Sequence, residues 1–315
     1  MMMTVAVVLP RPEQLELRRL ALAPMGEGQI TVDVEWSAIS TGTERLLWTG
    51  KMPPFPGMGY PLVPGYESVG RVVEADVSAN VKVGDRVFVP GANCFGDVRG
   101  LFGGAASRLV VPSARVTRID AAISEAPEEG VLLALAATAY HALVSGDGRP
   151  ADLIVGHGVL GRLIARIAVA LGGSPTVWET NPVRAEGAVG YQVVDPKSDT
   201  RKDYRCIYDV SGDASLVDSL VGRLARGGEI VLAGFYDKIE FSFPPAFMRE
   251  ARFRIATEFL PADVQAVIAL LSKGSLKLGG LITHRRPFDQ ADEAYRTAFT
   301  DPECLKMLLD WRNCQ

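Results

Sequence analysis

The sequence predicts an α/β protein, a doubly wound parallel sheet joined to a smaller β-rich domain. Two features predict it: a strand–glycine loop–helix–strand unit at the middle of the chain, and many short strands divided by turns ahead of it. Leu153-Ile154-Val155 is a short apolar strand, and Gly156-His157-Gly158-Val159-Leu160-Gly161 follows it at once. Apolar residues then recur at helical spacing, at Leu163, Ile164, Ile167, Ala168 and Leu171, until Gly172-Gly173 stops the helix. A glycine pattern in this setting has a mechanical meaning. Gly156 allows the tight turn, Gly158 lets the backbone approach a pyrophosphate, and Gly161 lets the helix pack closely on the strand. Val159 and Leu160 then open the helix with their amides toward the phosphates.

A second strand, Thr176-Val177-Trp178, ends in Glu179, 18 residues past Gly161. An acid there suits the two ribose hydroxyls of NAD and repels the extra phosphate of NADP, and no arginine follows until Arg184. The expected cofactor is NAD, held by a Rossmann sheet. A glycine turn that binds no nucleotide is the competing reading. Strand, helix, second strand and acid in register argue against it. The rhythm continues with strands at 192–195 and 205–210, a helix over 215–225, and strands at 227–234 and 252–257. Ser211 and Gly234 fall at the carboxyl ends of two of these strands, where loops line a dinucleotide crevice.

Ahead of this unit, 5–9 and 29–36 read as strands, the second alternating apolar and polar residues. From Ser40 to Tyr66 prolines and glycines break the regularity, which predicts an ordered, irregular surface loop of the kind that carries binding residues. Residues 68–75 and 82–89 return to strand, with Gly84-Asp85 as a turn; 91–104 is glycine-rich loop and 106–111 strand again. Residues 1–123 therefore predict a barrel-like all-β domain. A helix opens at Pro127-Glu128-Glu129, with proline and acids where a helix N-terminus favours them, and runs through His141. It starts a nucleotide domain over 124–258. The tail, 259–315, carries helices over 261–273 and 289–299, a strand near 281–285 and a strand-like end at 304–311.

Composition excludes several classes. With 33 basic against 37 acidic residues and no basic run, no nucleic-acid partner is expected. Cys94, Cys206, Cys304 and Cys314 are scattered without paired spacing, as in a reducing cytoplasm. The start lacks a basic segment followed by an apolar one, and the apolar windows 131–139 and 163–171 are too short for a bilayer. A cytoplasmic protein with no integral membrane segment is expected.

The order of a β-rich domain, a Rossmann domain and a short return resembles the medium-chain dehydrogenase/reductase superfamily. Pro64-Gly65-Tyr66-Glu67-Ser68-Val69-Gly70-Arg71-Val72 resembles that family's GHE-x-x-G-x-V, and Val83-Gly84-Asp85-Arg86-Val87 its V-G-D-x-V. Residues 227–234 resemble its fifth Rossmann strand and Ile282-Thr283-His284-Arg285 its late strand. The resemblance covers nearly the whole chain. It implies a GroES-like catalytic domain, to which 259–315 returns, beside the NAD-binding domain. Longer stretches resemble one branch: Ser40-Thr41-Gly42-Thr43-Glu44 with Leu47-Trp48, then 52–61, 90–96, 243–250 and 304–307. That branch serves bacteriochlorophyll biosynthesis, and so photosynthesis. It implies an alcohol dehydrogenase that oxidises the hydroxyethyl group of a bacteriochlorophyllide to an acetyl group, with hydride passing to NAD. Family analogy favours a homodimer.

Zinc members of the superfamily hold the metal through a Cys, the His of GHE, and a later Cys or acid. Here those positions resemble Ser40 (or Thr41), Tyr66 and Ala134, which leaves Glu67 alone of that set. One carboxylate does not hold a zinc that takes three protein ligands and a water, so no metal is expected. Another group must then take the alcohol proton. Thr43 matches the family hydroxyl that touches the substrate oxygen and is the expected proton relay. The loop also offers the hydroxyls of Ser40 and Thr41, and Tyr66 would donate to the developing oxyanion. Glu44 or Glu67 would orient it, or act as base where burial raises the pKa. For Glu67 a plain capping role after a glycine turn stands beside the chemical one.

Thr138 resembles a family residue near the nicotinamide. His157 occupies a place in the glycine loop that tolerates any side chain, or touches the pyrophosphate; His141 reads as a satisfied core histidine, and His284 as a residue near the cofactor cleft or domain seam. A flat macrocycle needs a wide apolar slot. Trp48, Met52, Phe55, Met58, Tyr60, Phe95, Leu101 and Phe102 would wall it, against ordinary packing as the alternative for each, and Arg99 or Arg249 would meet a propionate. Two other functions stay open. One is a zinc-free, NAD(P)-dependent dehydrogenase or quinone/enone reductase for a small substrate, which would not need the stretch 52–61. The other is a non-catalytic pigment-binding scaffold, which would not need Gly156, Gly158, Gly161 and Glu179 together.

Overall fold

Apolar alternation at the start produces β1 (Met3–Val8), which pairs antiparallel with β2 (Glu16–Ala21). The computed structural model describes residues 2–54, 56–119, 123 and 125–314. Two compact units divide them: Met1–Ala134 with Leu278–Gln315, and Leu135–Lys277.

The first unit is built on β3 (Gln29–Ile39), 11 residues long and buried along most of its length. It pairs antiparallel with β5 (Ser68–Ala75) on one side, and β5 continues to β6 (Arg86–Val89) and β9 (Thr117–Arg118). β8 (Arg108–Pro112) also pairs with β3, and β4 (Leu62–Val63) pairs with β7 (Arg99–Gly100). The stretch from Ser40 to Tyr66 is less irregular than expected. It contains α1 (Thr43–Thr49), ended by Gly50 in the left-handed conformation at φ 69°. The strand expected over 82–89 shrinks to β6, because the Gly84-Asp85 turn takes up its first half.

The second unit begins in α2 (Leu133–Val144), preceded by a 3-10 turn over Pro127–Leu132. It then alternates strand and helix. β10 (Leu153–Val155), α3 (Val159–Ala170), β11 (Thr176–Trp178), α4 (Pro182–Ala185) and β12 (Gln192–Val194) form the first half. The second half is β13 (Tyr204–Asp209), α5 (Val217–Val221), β14 (Leu224–Leu232), α6 (Phe243–Arg249) and β15 (Arg252–Ile255), followed by α7 (Pro261–Ser272). The helix expected over 215–225 is cut short because β14 already starts at Leu224. All five pairings are parallel, in the order β12-β11-β10-β13-β14-β15, the doubly wound dinucleotide arrangement. α7 belongs to this unit, with Asp263 Oδ2 2.9 Å from His141 Nδ1, so the unit runs to Lys277, past the expected division at 258/259.

The tail returns to the first unit as β16 (His284–Pro287), α8 (Ala291–Thr300) and β17 (Met307–Asp310). β17 pairs antiparallel with the other side of β3, from Met307↔Ile39 to Asp310↔Trp36. The core of the first unit gathers Val32, Val34, Leu47, Val87, Leu109, Met307 and Trp311, contributed by both ends of the chain. Among the described residues no helix is long and apolar enough to cross a membrane.

Candidate functional site

Three neighbouring strands bring the polar groups of the first unit together. Ser40 follows the end of β3, Tyr66-Glu67 precede β5, and Lys306 precedes β17. The register Met307↔Ile39 and the bond from Ala38 N–H to the Glu67 carbonyl (2.8 Å) place all four at one end of the sheet. The hydroxyls of Ser40 and Tyr66 lie 2.8 Å apart, and Thr43, on the first turn of α1, also bonds Tyr66. Phe102 stands edge-on to the Tyr66 ring at 5.2 Å. Burial first, then the charge of Glu67, raise the Tyr66 pKa above its ordinary value. At neutral pH Tyr66 is therefore a hydrogen-bond donor and no base.

Both acids lie behind this hydroxyl cluster, fully buried. Glu44 accepts from the Ser40 amide (3.0 Å) and from the Tyr295 hydroxyl (2.6 Å). Burial pushes its pKa up to about 7 against these two donors. Glu67 Oε2 lies 2.7 Å from the Lys306 ammonium; burial raises its pKa and the ammonium opposes the rise. Lys306 and Tyr295 were not anticipated. The signal for Lys306 was a single basic residue inside an otherwise apolar strand-like run, which needs a buried partner.

The expected apolar wall is divided. Trp48 and Phe95 are core residues: Trp48 packs against Tyr295 and Phe299 at ring distances of 6.4 and 6.2 Å, and Phe95 is buried in the same cluster. Leu101 is buried as well, while Met52, Met58, Tyr60 and Phe102 are partly buried against that core. Phe55 lies outside the described residues. Arg99 is exposed, whereas Arg249 is tied to the carbonyls of Gly222, Leu224 and Lys202.

In the second unit the glycine loop has the shape its sequence demands. Gly156 adopts φ 105°, open to glycine and costly for other residues. A Cβ on Gly161 would sit 2.0 Å from the Gly156 carbonyl oxygen, whereas one on Gly158 would meet nothing within 4 Å. The loop is thus packed where the helix crosses the strand and open at its middle glycine. Val159 and Leu160 form the first turn of α3. Glu179, just past β11, accepts from the His157 amide (3.1 Å) and the Asn181 amide (2.8 Å). Ser211 donates its amide and hydroxyl to Asp209 at 2.9 and 2.6 Å, and Gly234 follows β14 beside the Tyr236 hydroxyl. Thr138 lies half-buried on α2. His157 departs from both expectations: it is fully buried, with both ring nitrogens bonded inside the protein. His141 has its partner in Asp263, and His284, in the first unit, meets Thr283 Oγ1 at 2.9 Å.

A GroES-like β unit and a doubly wound dinucleotide sheet define a medium-chain alcohol dehydrogenase fold. Residues 26–121 match the family model of the alcohol dehydrogenase GroES-like domain. Two solved structures share the fold: an Escherichia coli alcohol dehydrogenase complexed with NADH (TM-score 0.83, 22% identity, 98% of this chain and 99% of that one), and the L-idonate 5-dehydrogenase of Escherichia coli (TM-score 0.84, 20% identity, 98% of each). The 2-desacetyl-2-hydroxyethyl bacteriochlorophyllide A dehydrogenase of Rhodobacter capsulatus is 57% identical over 100% of both chains, and that of Cereibacter sphaeroides 58% identical over 99% of each. The chain belongs to this family of bacteriochlorophyllide dehydrogenases, and is an oxidoreductase.

The residues at the positions that resemble the superfamily's zinc ligands do not form a zinc site in this structure. Two hydroxyls, Ser40 and Tyr66, bond each other there, and both nearby carboxylates are already engaged, Glu67 by the Lys306 ammonium and Glu44 by the Ser40 amide and the Tyr295 hydroxyl. Among the described residues no three His, Cys, Asp or Glu side chains gather as a metal site.

Proposed function

We propose that this protein oxidises the 3-(1-hydroxyethyl) group of a bacteriochlorophyllide to a 3-acetyl group, with NAD as the hydride acceptor and without catalytic zinc. The full-length identity of 57–58% to dehydrogenases named for that substrate carries the reading. The secondary alcohol loses a hydride from carbon and a proton from oxygen, leaving a ketone, NADH and a proton. Bound NAD supplies the hydride acceptor. Gly156, Gly158, Gly161 and the first turn of α3 would hold its pyrophosphate, and Glu179 its adenosine ribose.

The first unit handles the proton. Thr43 and Tyr66 take the carbinol oxygen, and its proton passes through the Thr43 hydroxyl, half-exposed at the edge of the cluster, to water. Tyr66, held protonated, donates to the oxygen as charge develops on it, and Ser40 fixes the direction of that donation. Glu44 and Glu67 set the field behind the hydroxyls; neither is exposed enough to touch a pigment. Met52, Met58, Tyr60 and Phe102 offer the apolar surface for the macrocycle.

A homodimer and a cytoplasmic location belong to the same reading. β15 is an edge strand of its sheet, next to the exposed Phe243, Phe247 and Met248 of α6, and none of the four cysteines forms a disulfide. Substrate choice is tested by comparing kcat/KM for the hydroxyethyl pigment with a panel of small alcohols, sugars and quinones. A preference for the panel would replace the pigment with a small substrate. Elemental analysis of active protein tests the zinc-free chemistry: stoichiometric zinc would contradict it.

A further inference from the structure

We infer that His157 and Arg162 form a polar clamp that positions Glu179 and the segment after it for the nucleotide, which makes His157 a positioning residue of the cofactor site. The inference rests on the NAD reading above. A glycine motif asks nothing of its second residue, yet every polar atom of His157 is engaged. Its amide donates to Glu179 Oε2 at 3.1 Å, and its carbonyl accepts from Arg162 Nε at 3.0 Å. Its Nδ1 lies 2.6 Å from the Arg184 carbonyl, which can only accept, so Nδ1 carries the ring proton. The neutral ring then accepts at Nε2 from the Tyr191 hydroxyl, 2.7 Å away. Arg162, itself buried, spreads its other contacts over the carbonyls of Arg184 (2.9 Å) and Glu186 (2.7 Å).

The segment between Glu179 and Tyr191 contains only the four-residue α4, which buries no side chain, and Val183 and Val189 are exposed. No apolar anchor fixes it, so its place beside the glycine loop comes from hydrogen bonds converging on His157 and Arg162. Burial and the neighbouring Arg162 push the His157 pKa down to about 4, which keeps the ring neutral, and the Arg184 carbonyl fixes its tautomer. A pre-set Glu179 spares the nucleotide the cost of ordering it on binding.

Calorimetric titration of NAD, and in parallel NADP, into the full-length protein tests the clamp. His157→Ala should weaken NAD binding about tenfold and narrow the preference over NADP, with KM for NAD rising more than kcat falls. Tyr191→Phe keeps the ring and removes one hydrogen bond; it should shift NAD affinity the same way by roughly threefold, and it decides the matter if His157→Ala does not fold. Variants that bind NAD within twofold of the parent and lose only thermal stability would overturn the clamp. A parent that binds no NAD would instead overturn the cofactor reading beneath it.

Discussion

The ammonium of Lys306 and the carboxylate of Glu67 meet at 2.7 Å with side-chain exposures of 1% and 0%. The two residues are 239 positions apart, joined because β17 pairs with β3 beside β5. The pair closes the tail onto the loop that carries Tyr66, and it sets an ammonium against the carboxylate next to that tyrosine in the chain.

Breaking that pair from one side should be costly. Lys306→Met leaves a buried, uncompensated carboxylate and should lower stability by about 3–5 kcal/mol, read as the shift in a urea unfolding midpoint. The double variant Glu67→Gln/Lys306→Met, with no buried charge left, should recover most of it. Equal midpoints for Lys306→Met and the parent would show that the pair does not hold the fold.

Glu44 makes stability depend on pH in a definite direction. Its carboxyl titrates at about 7 in the folded chain against 4.5 ordinarily, because of burial. Its contribution is fully present below pH 4.5 and is lost as pH rises through 7. The difference is about 3 kcal/mol between the two limits. Glu44→Gln cannot ionise, so its stability relative to the parent should rise by that amount from pH 4 to pH 8. Parallel stability curves for the two proteins would contradict the raised pKa.

Tyr66 and Thr43 should matter for turnover more than for folding. Tyr66→Phe removes the donor beside Ser40 and should lower kcat about a hundredfold with the unfolding midpoint nearly unchanged. Thr43→Val should act similarly and Thr43→Ser should retain activity. Full activity in Tyr66→Phe would move the proton path elsewhere.

Gly161 admits no side chain. A Cβ would lie 2.0 Å from the Gly156 carbonyl, so Gly161→Ala must push α3 off β10. NAD binding should be lost in titration calorimetry, with a lowered melting temperature.

The doubly wound half of this protein was legible because its signal is local: the strand, the glycine loop with its turn at Gly156 and close packing at Gly161, the helix and the second strand all fall within a short run of the chain. Elements held by tertiary contact were harder to read. β2 (Glu16–Ala21) has no apolar face, and α1 hides in a stretch whose prolines and glycines signal loop. The hydroxyl cluster was visible residue by residue, but its partners were not, since Lys306 and Tyr295 arrive by strand register and helix packing from the far end of the chain. Trp48 and Phe95 were read as pocket wall because an aromatic in an irregular stretch looks alike whether it faces a slot or the core. For His157 the motif leaves a free position or a pyrophosphate contact open, because it does not show what closes over the ring.

The most direct test is a turnover assay with hydroxyethyl bacteriochlorophyllide a, following the pigment absorption with NAD in one cuvette and NADP in another. A new acetyl carbonyl conjugates with the ring and moves the long-wavelength band to the red. That shift is expected with NAD and little of it with NADP. A protein that binds NAD yet leaves the pigment band in place would contradict the assignment of substrate and point to a small alcohol in its stead.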